Sequence, residues 1–220
     1  EMTFLLDPYA ARSCPVKTFN AFDPGTPKPE KPLDESLLEA FSGGSEFRDS
    51  MLTTLCRTAD VVDLRGENNA TDTLDAMDAG ASVIVGGTLP ADEQGHRVGS
   101  PDALVRGGDR PGGRPGYWPL RVKPYRLLEE QRNAKELRAS TLTSPTVLEP
   151  LPGYRFRSYR QGVLLELAHH WRLLQACGRS AATAIVGSIG FDDHARGVIV
   201  WVPLELRFLR TFSRTSPSGH

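Results

Sequence analysis

Apolar residues recur at different spacings along the chain, and its first part contains an irregular stretch followed by a helical one. Residues 4–32 contain six prolines, which break any helix before it lengthens, so this stretch predicts an arm laid over a core. Residues 34–57 carry apolar side chains at helical spacing. The glycines Gly43 and Gly44 interrupt that spacing and predict two helical pieces rather than one.

A short strand, a short helix and a series of strands are predicted next. Residues 59–64 have the composition of a strand, and residues 71–79 predict a short helix that ends at Gly80. The apolar period then becomes two, which is typical of strands whose side chains alternate between two faces. With glycine-rich turns, this period predicts an antiparallel meander of three strands at residues 82–89, 98–106 and 117–123.

The last part of the chain predicts one strong helix and two further strands. Residues 124–160 are charged and interrupted by prolines. Residues 164–176 predict a helix that is stopped by Gly178, and residues 183–189 and 198–204 predict strands. The order of helix, three strands, helix and strands predicts the α/β fold class.

Length, charge and cysteine usage limit the class of protein. At 220 residues the chain is long enough to bury a core as one domain. A net charge of -1 creates no overall field toward nucleic acid, so any polyanion site has to be a local basic patch. Three cysteines far apart argue against a disulfide framework, and no iron–sulfur cluster is expected. No apolar run approaches the roughly 18 residues that span a bilayer, so we expect a cytoplasmic protein with no membrane partner.

Three segments contain motifs in a recognisable order: SPDALVR at residues 100–106, YWPLRVK at residues 117–123 and LELAHHWRLL at residues 165–174. The first resembles the second-strand motif of the RecB-like branch of the PD-(D/E)XK nuclease superfamily. The second resembles the third-strand (D/E)-x-K motif of that family, and the third resembles the helix that follows. Residues 12–17 and 206–213 are similar to the two ends of RecB-like proteins of actinobacterial type, so the resemblance covers nearly the whole chain.

This resemblance implies a PD-(D/E)XK restriction-endonuclease-like core, with a central mixed β-sheet flanked by helices. It also implies a nuclease that acts on DNA, in which Mg²⁺ or Mn²⁺ polarises the scissile phosphate and activates a water molecule. Asp102 matches the family's metal-binding aspartate, and Lys123 matches the lysine that orients this water. The implied organisation is an N-terminal arm at residues 1–32, a nuclease-fold domain at residues 33–210 and a flexible tail at residues 211–220.

The catalytic motif is degenerate, and two interpretations of it stay open. Arg121 stands where the family has an acid, Arg48 stands where a first-helix carboxylate is usual, and Glu166 replaces the helix glutamine. In one interpretation, Glu166 and Glu46 complete a metal site with Asp102. In the other, Arg121 pairs with Asp102 or Glu166, and a guanidinium–carboxylate bridge takes the place of the ion.

Two groups of arginines are candidates for nucleic-acid binding. Arg110 and Arg114 lie in a glycine-rich loop that could face a phosphate backbone, although an ordinary hairpin tip has the same composition. Arg155, Arg157 and Arg160 alternate with aromatic residues, a pattern that suits single strands because aromatic rings stack on bases. A strand at the edge of a sheet, with one solvated face, has the same pattern.

Two functions follow from these residues. The first is a divergent nuclease for DNA repair or degradation, with Asp102 and Glu166 as metal ligands and Lys123 as the catalytic lysine. The alternative is an inactive pseudonuclease that binds nucleic acid or a protein partner through the same cleft. Neighbouring histidines on a helix point apart, so we expect His170 to be a packing or hydrogen-bonding residue in place of the family's tyrosine.

Overall fold

The computed structural model describes residues 4–27, 35–66, 69–192 and 197–206, and for residues 35–42 it describes the backbone only. The expected domain boundary near residue 33 and the expected tail at residues 211–220 lie outside these ranges. So do most of the motif at residues 206–213 and the apolar side chains of residues 35–42.

Four α-helices lie within the described ranges: α1 at Pro15–Phe22, α2 at Glu35–Leu55, α3 at Ala70–Asp78 and α4 at Gln161–Ala176. Short 3-10 turns occupy Ala10–Arg12 and Ser158–Arg160. Local signals explain two of the helix ends. The Asn69 side chain accepts a hydrogen bond from the Thr71 amide and caps the start of α3, and Gly80, at φ +81°, follows its end. No helix in the described ranges has the length and apolar character to cross a membrane.

Ten strands are described: β1 at Val61–Asp63, β2 at Val83–Val85, β3 at Ala103–Arg106, β4 at Tyr117–Val122, β5 at Leu128–Glu130, β6 at Arg138–Thr141, β7 at Glu149–Pro150, β8 at Tyr154–Phe156, β9 at Ile185–Ile189 and β10 at Val198–Pro203. Eight of the described strands form one sheet in the order β1-β2-β3-β4-β9-β10-β6-β7, and β5 pairs with β8 in a second sheet.

The large sheet is mixed because its central strands are joined in two ways. β2, β3 and β4 are antiparallel neighbours, which confirms the predicted meander. β4 is parallel to β9, since α4 carries the chain back to the end of the sheet where β4 began. The remaining pairs from β9 to β7 are antiparallel. The protein is therefore a mixed α/β structure with a large curled sheet flanked by helices.

Side chains of the central strands alternate between two cores, as the period of two predicts. Val83, Val105 and Leu120 belong to the larger core, which also includes residues of α2 and α4. Leu104 and Tyr117, on the alternate positions, belong to a smaller core with residues of α3 and the end of α4. The same alternation places residue 102 on the face of Leu104, and residues 121 and 123 on the face of Tyr117.

The predicted break in the second helix and the predicted irregular arm were both wrong in part. Helix α2 runs without a break through Gly43 and Gly44, because a glycine weakens a helix by only about 1 kcal/mol and contacts with the rest of the protein can outweigh this. A Cβ atom at Gly44 would lie 3.2 Å from Cγ of Pro124, so this glycine permits a close approach to the end of β4. The arm at residues 4–32 is also not wholly irregular, because Pro15 stands at the first position of α1, where its missing N–H is tolerated.

The region at residues 124–160 contains four strands, β5 to β8. From the sequence, only an edge strand at the second arginine series, where β8 lies, was considered, and β5 to β7 were not predicted. Two of the pairings of these four strands join distant parts of the chain, since β6 pairs with β10 and β5 pairs with β8, whereas β7 pairs with the nearby β6. Strands of two to four residues leave too few positions for a period of two to be recognised. The confirmed predictions are β1 to β4, α3, α4, β9 and β10.

Candidate functional site

The charged residues that the motifs point to lie together between the sheet and α4, and we call the region that they occupy the cleft. Asp102 directly precedes β3, Arg121 lies in β4, and Lys123 directly follows β4. Glu166 and His170 lie on α4 four residues apart, and therefore on one face of the helix. Extending the pairing of Ala103 with Leu120 by one residue puts Asp102 opposite Arg121.

Asp102 is 2% exposed, and three groups donate to its carboxylate. Arg48 Nε on α2 donates to Oδ1 at 2.7 Å, and Arg121 Nη1 donates to the same oxygen at 3.3 Å. The Val122 amide donates to Oδ2 at 2.7 Å. Two guanidiniums and one backbone N–H thus surround both oxygens of this carboxylate.

Glu166 is 3% exposed and has an equally crowded carboxylate. Lys123 Nζ donates to Oε2 at 2.6 Å, and Arg121 Nε lies 3.6 Å from the same oxygen. Arg12, from the N-terminal arm, places Nε 2.8 Å from Oε1.

We call these six side chains the charge cluster: Arg12, Arg48, Asp102, Arg121, Lys123 and Glu166. It contains four cations and two carboxylates, so it carries two positive charges in excess. Arg12 and Arg48 are partly exposed, and each uses Nε for its carboxylate. Arg48 Nη1 also lies 3.8 Å from Oδ1 of the exposed Asp49, and the Arg12 guanidinium carbon lies 4.8 Å from the centre of the Tyr9 ring. The electrostatics therefore favour an anionic ligand.

The residues of the cleft do not fit Mg²⁺ or Mn²⁺. A hard divalent ion needs several oxygen ligands with free lone pairs, whereas Asp102 and Glu166 already accept from cations and an amide. The Arg121 guanidinium contacts both carboxylates and fills the position between them. Within the described ranges, no group of three or more His, Cys, Asp or Glu residues could hold a metal ion.

Glu46, the third candidate ligand, is exposed on α2. It lies two residues before Arg48, which points to Asp102, and residues two apart on a helix lie on different faces. Glu46 is thus not among the six side chains of the charge cluster. A metal ion at Asp102, Glu166 and Glu46 stays a prediction from the family resemblance.

Burial lowers the pKa of two groups in the cleft. Burial lowers the pKa of Lys123 below its usual range, although the nearby Glu166 carboxylate opposes this change. His170 is fully buried, and neither ring nitrogen has a hydrogen-bond partner among the described residues. Burial, followed by the positive charge of Arg121, lowers the pKa of His170 well below its usual range. His170 is therefore a neutral packing residue at neutral pH.

The arginines of the glycine-rich loop lie away from the cleft. The Arg110 guanidinium donates to the Gly178 carbonyl, just beyond the C-terminal end of α4. Glu166 lies twelve residues earlier, which is about 18 Å along the helix axis. Arg114 is exposed in the same hairpin, where its carbonyl accepts from the Arg110 amide. The structure does not bring these two arginines together with the charge cluster.

In the second arginine series, Arg155 and Arg157 contact acceptor oxygens of the small sheet, and Arg160 stacks on an aromatic ring. Arg155 Nε contacts Glu129 at 2.6 Å, and Arg157 Nε donates to the Leu128 carbonyl at 2.6 Å, so both guanidiniums support the small sheet. Arg160 is different, because its guanidinium carbon lies 3.8 Å from the centre of the Tyr125 ring. This side chain lies at the start of α4, the helix that carries Glu166.

Sequence reasoning missed the roles of Arg12 and Tyr125. Arg12 was named only as part of the motif at residues 12–17. Nothing in the neighbouring sequence indicates that the N-terminal arm folds back and places Arg12 against Glu166. Tyr125 follows the lysine motif by two residues, and its stacking partner Arg160 lies far along the chain. Arg48 was noted only as a missing acid, whereas it is the nearest cation to Asp102.

Comparison with known proteins identified no relative of this chain. The chain matches no protein-family model, no curated protein and no solved structure. The function is therefore inferred from the geometry and charge of the cleft.

Proposed function

We propose that this protein is a pseudonuclease: a domain with a nuclease-like core that binds nucleic acid in its cleft without a metal ion and does not cleave it. The observation that carries this proposal is the position of Arg121, whose guanidinium contacts Asp102 and Glu166 at 3.3 and 3.6 Å. A guanidinium remains protonated at any useful pH, so it repels a divalent cation permanently.

The order of elements supports the nuclease-like core. Helix α2 precedes the antiparallel strands β2, β3 and β4, and α4 then leads to β9. The motif residues Asp102 and Lys123 fall at the start of β3 and the end of β4, on one face of the sheet. This is the placement that the family resemblance implies for a metal-binding aspartate and a catalytic lysine.

The excess of cations supports a phosphate ligand. Two positive charges remain after the two carboxylates of the charge cluster are neutralised, and the exposed Asp49, 3.8 Å from Arg48 Nη1, offsets only part of this excess. The Arg12 and Arg48 guanidiniums are partly exposed. Guanidinium groups bind phosphate oxygens through paired hydrogen bonds. Because the net charge of the whole chain is only -1, this local excess would direct a polyanion to the cleft.

The test is binding of fluorescein-labelled single-stranded DNA in the presence of EDTA, with a parallel cleavage assay in Mn²⁺. We expect binding with EDTA, a steep decrease with salt, and no cleavage in either condition. Arg48→Ala should weaken binding, whereas Arg172→Ala, an exposed change on α4, should not. The readouts are fluorescence anisotropy and gel electrophoresis.

Cleavage in Mn²⁺ that is lost in EDTA and in Glu166→Gln would replace this proposal with the metal-dependent nuclease. If the wild type and Arg48→Ala bind the DNA with equal affinity, the binding site lies outside the cleft.

A further inference from the structure

Two tyrosines and two arginines form a stack beside the cleft. The guanidinium carbon of Arg160 lies 3.8 Å from the centre of the Tyr125 ring and 5.2 Å from that of Tyr159. Arg157 continues the series at 5.7 Å from the Tyr159 ring, and its Nη1 donates to the Tyr159 hydroxyl at 2.6 Å. We call these four side chains the aromatic stack.

The aromatic stack adjoins the charge cluster. Arg160 immediately precedes α4, and Glu166 follows it by about 9 Å along the helix axis. Burial raises the pKa of Tyr125, and the negative charge of Glu166 raises it further, so this ring lies within the field of the cluster. A polymer held by the cluster would therefore reach the stack within a few of its units.

Hydrogen bonds hold the backbone at Tyr125 and just after it in place. The Phe191 amide donates to the Tyr125 carbonyl at 3.0 Å. The buried Asp192 carboxylate accepts from the Leu127 and Leu128 amides at 3.1 and 2.9 Å. Tyr125 is thus fixed by backbone contacts, whereas the outer ring, Tyr159, has 65% of its surface exposed.

An exposed aromatic ring beside a phosphate-binding cleft fits the chemistry of one ligand class. Every nucleobase has a flat π-face, and stacking on tyrosine does not depend on base identity. In a duplex these faces are covered by neighbouring bases, so only an unpaired base can reach Tyr159. The adjacent guanidiniums of Arg157 and Arg160 fix the ring by cation–π contact and hydrogen bonding.

We propose that Tyr159 is a stacking platform for an unpaired base, so that the cleft takes single-stranded rather than double-stranded nucleic acid. This inference rests on the proposed function, since the phosphates of the same strand would bind the charge cluster. It also changes the expected role of the arginine series: Arg157 and Arg160 support the ring, and Arg155 supports the small sheet through Glu129.

The first experiment compares Tyr159→Ala and Tyr159→Phe with the wild type, in EDTA, on three polymers. Oligo(dT) supplies bases and phosphates, polyphosphate supplies phosphates alone, and polyglutamate supplies carboxylates alone. We expect Tyr159→Ala to bind oligo(dT) about tenfold more weakly and polyphosphate unchanged. Tyr159→Phe keeps the ring and loses the hydroxyl, so it should bind oligo(dT) nearly as well as the wild type.

The second experiment makes the stacking visible. Trp118, Trp171 and Trp201 are all buried, so a tryptophan at position 159 would be the exposed indole among the described residues. Oligo(dT) should quench the fluorescence of Tyr159→Trp through stacking, and polyphosphate should not. Duplex DNA of the same length should bind more weakly and quench less.

The outcomes separate this inference from the proposed function. If the wild type binds neither oligo(dT) nor polyphosphate, both are overturned. If oligo(dT) binds but Tyr159→Ala binds it equally well, the cleft binds phosphates and the stacking platform is overturned. Polyglutamate bound as tightly as oligo(dT) would indicate an acidic protein partner and would also overturn the inference.

Discussion

Lys123 Nζ donates to Glu166 Oε2 at 2.6 Å and thereby joins the end of β4 to the second turn of α4. The ammonium group is mostly buried, and burial lowers its pKa even though the carboxylate favours the charged form. The pair is thus held in place by the fold. It also connects the lysine of the YWPLRVK segment directly to an acidic residue of the LELAHHWRLL segment.

Removing the charge of Glu166 should destabilise the protein strongly. Glu166→Gln leaves Lys123, Arg12 and Arg121 without this anionic partner in a largely buried site. We expect the free energy of unfolding to fall by about 3 kcal/mol, measured by urea denaturation. Glu46→Gln, on an exposed position of α2, should change it by less than about 0.5 kcal/mol. Additive effects of Glu166→Gln and Lys123→Met in a double-mutant cycle would show that the pair is not coupled.

Reversing the charge at position 121 should make the stability of the protein depend on Mn²⁺. Arg121→Glu removes the guanidinium between the carboxylates and supplies a further oxygen ligand. The metal-free variant should be less stable than the wild type because three carboxylates are then crowded together, and Mn²⁺ should recover about 2.7 kcal/mol at 100 times its Kd. Arg121→Met is the control, since it removes the cation without adding a ligand. If the melting temperature of Arg121→Glu does not change with Mn²⁺, a carboxylate at position 121 does not create a metal site.

His170 should make the protein less stable in acid. Because the pKa of His170 in the folded protein is lowered well below its usual range, the unfolded chain binds a proton near pH 6.5 while the folded protein does not. The unfolded state therefore holds more protons as the pH falls, and stability decreases below about pH 6.5 by up to about 1.4 kcal/mol per pH unit. Above that pH this contribution is constant. His170→Leu should flatten the dependence in urea denaturation, and a slope equal to that of the wild type would contradict the assignment.

The two basic regions should differ in salt dependence. Arg48→Ala should weaken single-strand binding and reduce the slope of log K against log salt by roughly 0.7, as expected for one lost phosphate contact. Arg110→Ala should leave binding and slope unchanged, because Arg110 contacts the Gly178 carbonyl about 18 Å from Glu166. It should instead lower the free energy of unfolding by up to about 1 kcal/mol, since a cation at the end of α4 is lost. Weakened binding by Arg110→Ala would extend the binding surface to the hairpin.

The two neighbouring glycines of α2 should respond differently to alanine. No described atom lies within 4 Å of a Cβ atom built at Gly43, whereas one built at Gly44 lies 3.2 Å from Pro124 Cγ. Gly43→Ala should therefore raise the free energy of unfolding by up to about 1 kcal/mol through helix propensity. Gly44→Ala should gain less or lose stability, because α2 has to move from Pro124. Equal increases in the free energy of unfolding for the two variants would show that the contact between position 44 and Pro124 does not restrict a larger side chain.

The sequence predicted the elements whose signals are local. Strands β2 to β4 and helix α4 have clear periods and glycine stops, so their existence and order were confirmed although the strands are shorter than predicted. Strand β7 has two residues and pairs with β6, and β6 in turn pairs with β10, which comes much later in the chain. Such pairing has no local signal.

For the site, the motifs located the residues, and one of the two interpretations paired Arg121 with Asp102 or Glu166, both of which it contacts. The other contacts of the site were not predicted. Asp102, Lys123 and Glu166 were named from their segments, and the structure places all three in one cleft. The contact of Arg12 with Glu166 depends on the fold of the arm, and the stacking of Tyr125 on Arg160 depends on how the chain returns before α4. Tertiary packing decides both contacts, so periodicity and motif spacing could not reveal them.

Strand β4 is hydrogen-bonded on both sides, to β3 and to β9. Residues in the middle of a sheet open only with a large part of the fold, so backbone amides at Arg121 and Val122 should be among the slowest to exchange with solvent. The backbone that carries Arg121 is therefore immobilised before any ligand arrives. In the proposed complex, a nucleic-acid strand would meet an Arg121 whose backbone has already lost its conformational entropy during folding, so ordering this residue would add little cost to binding.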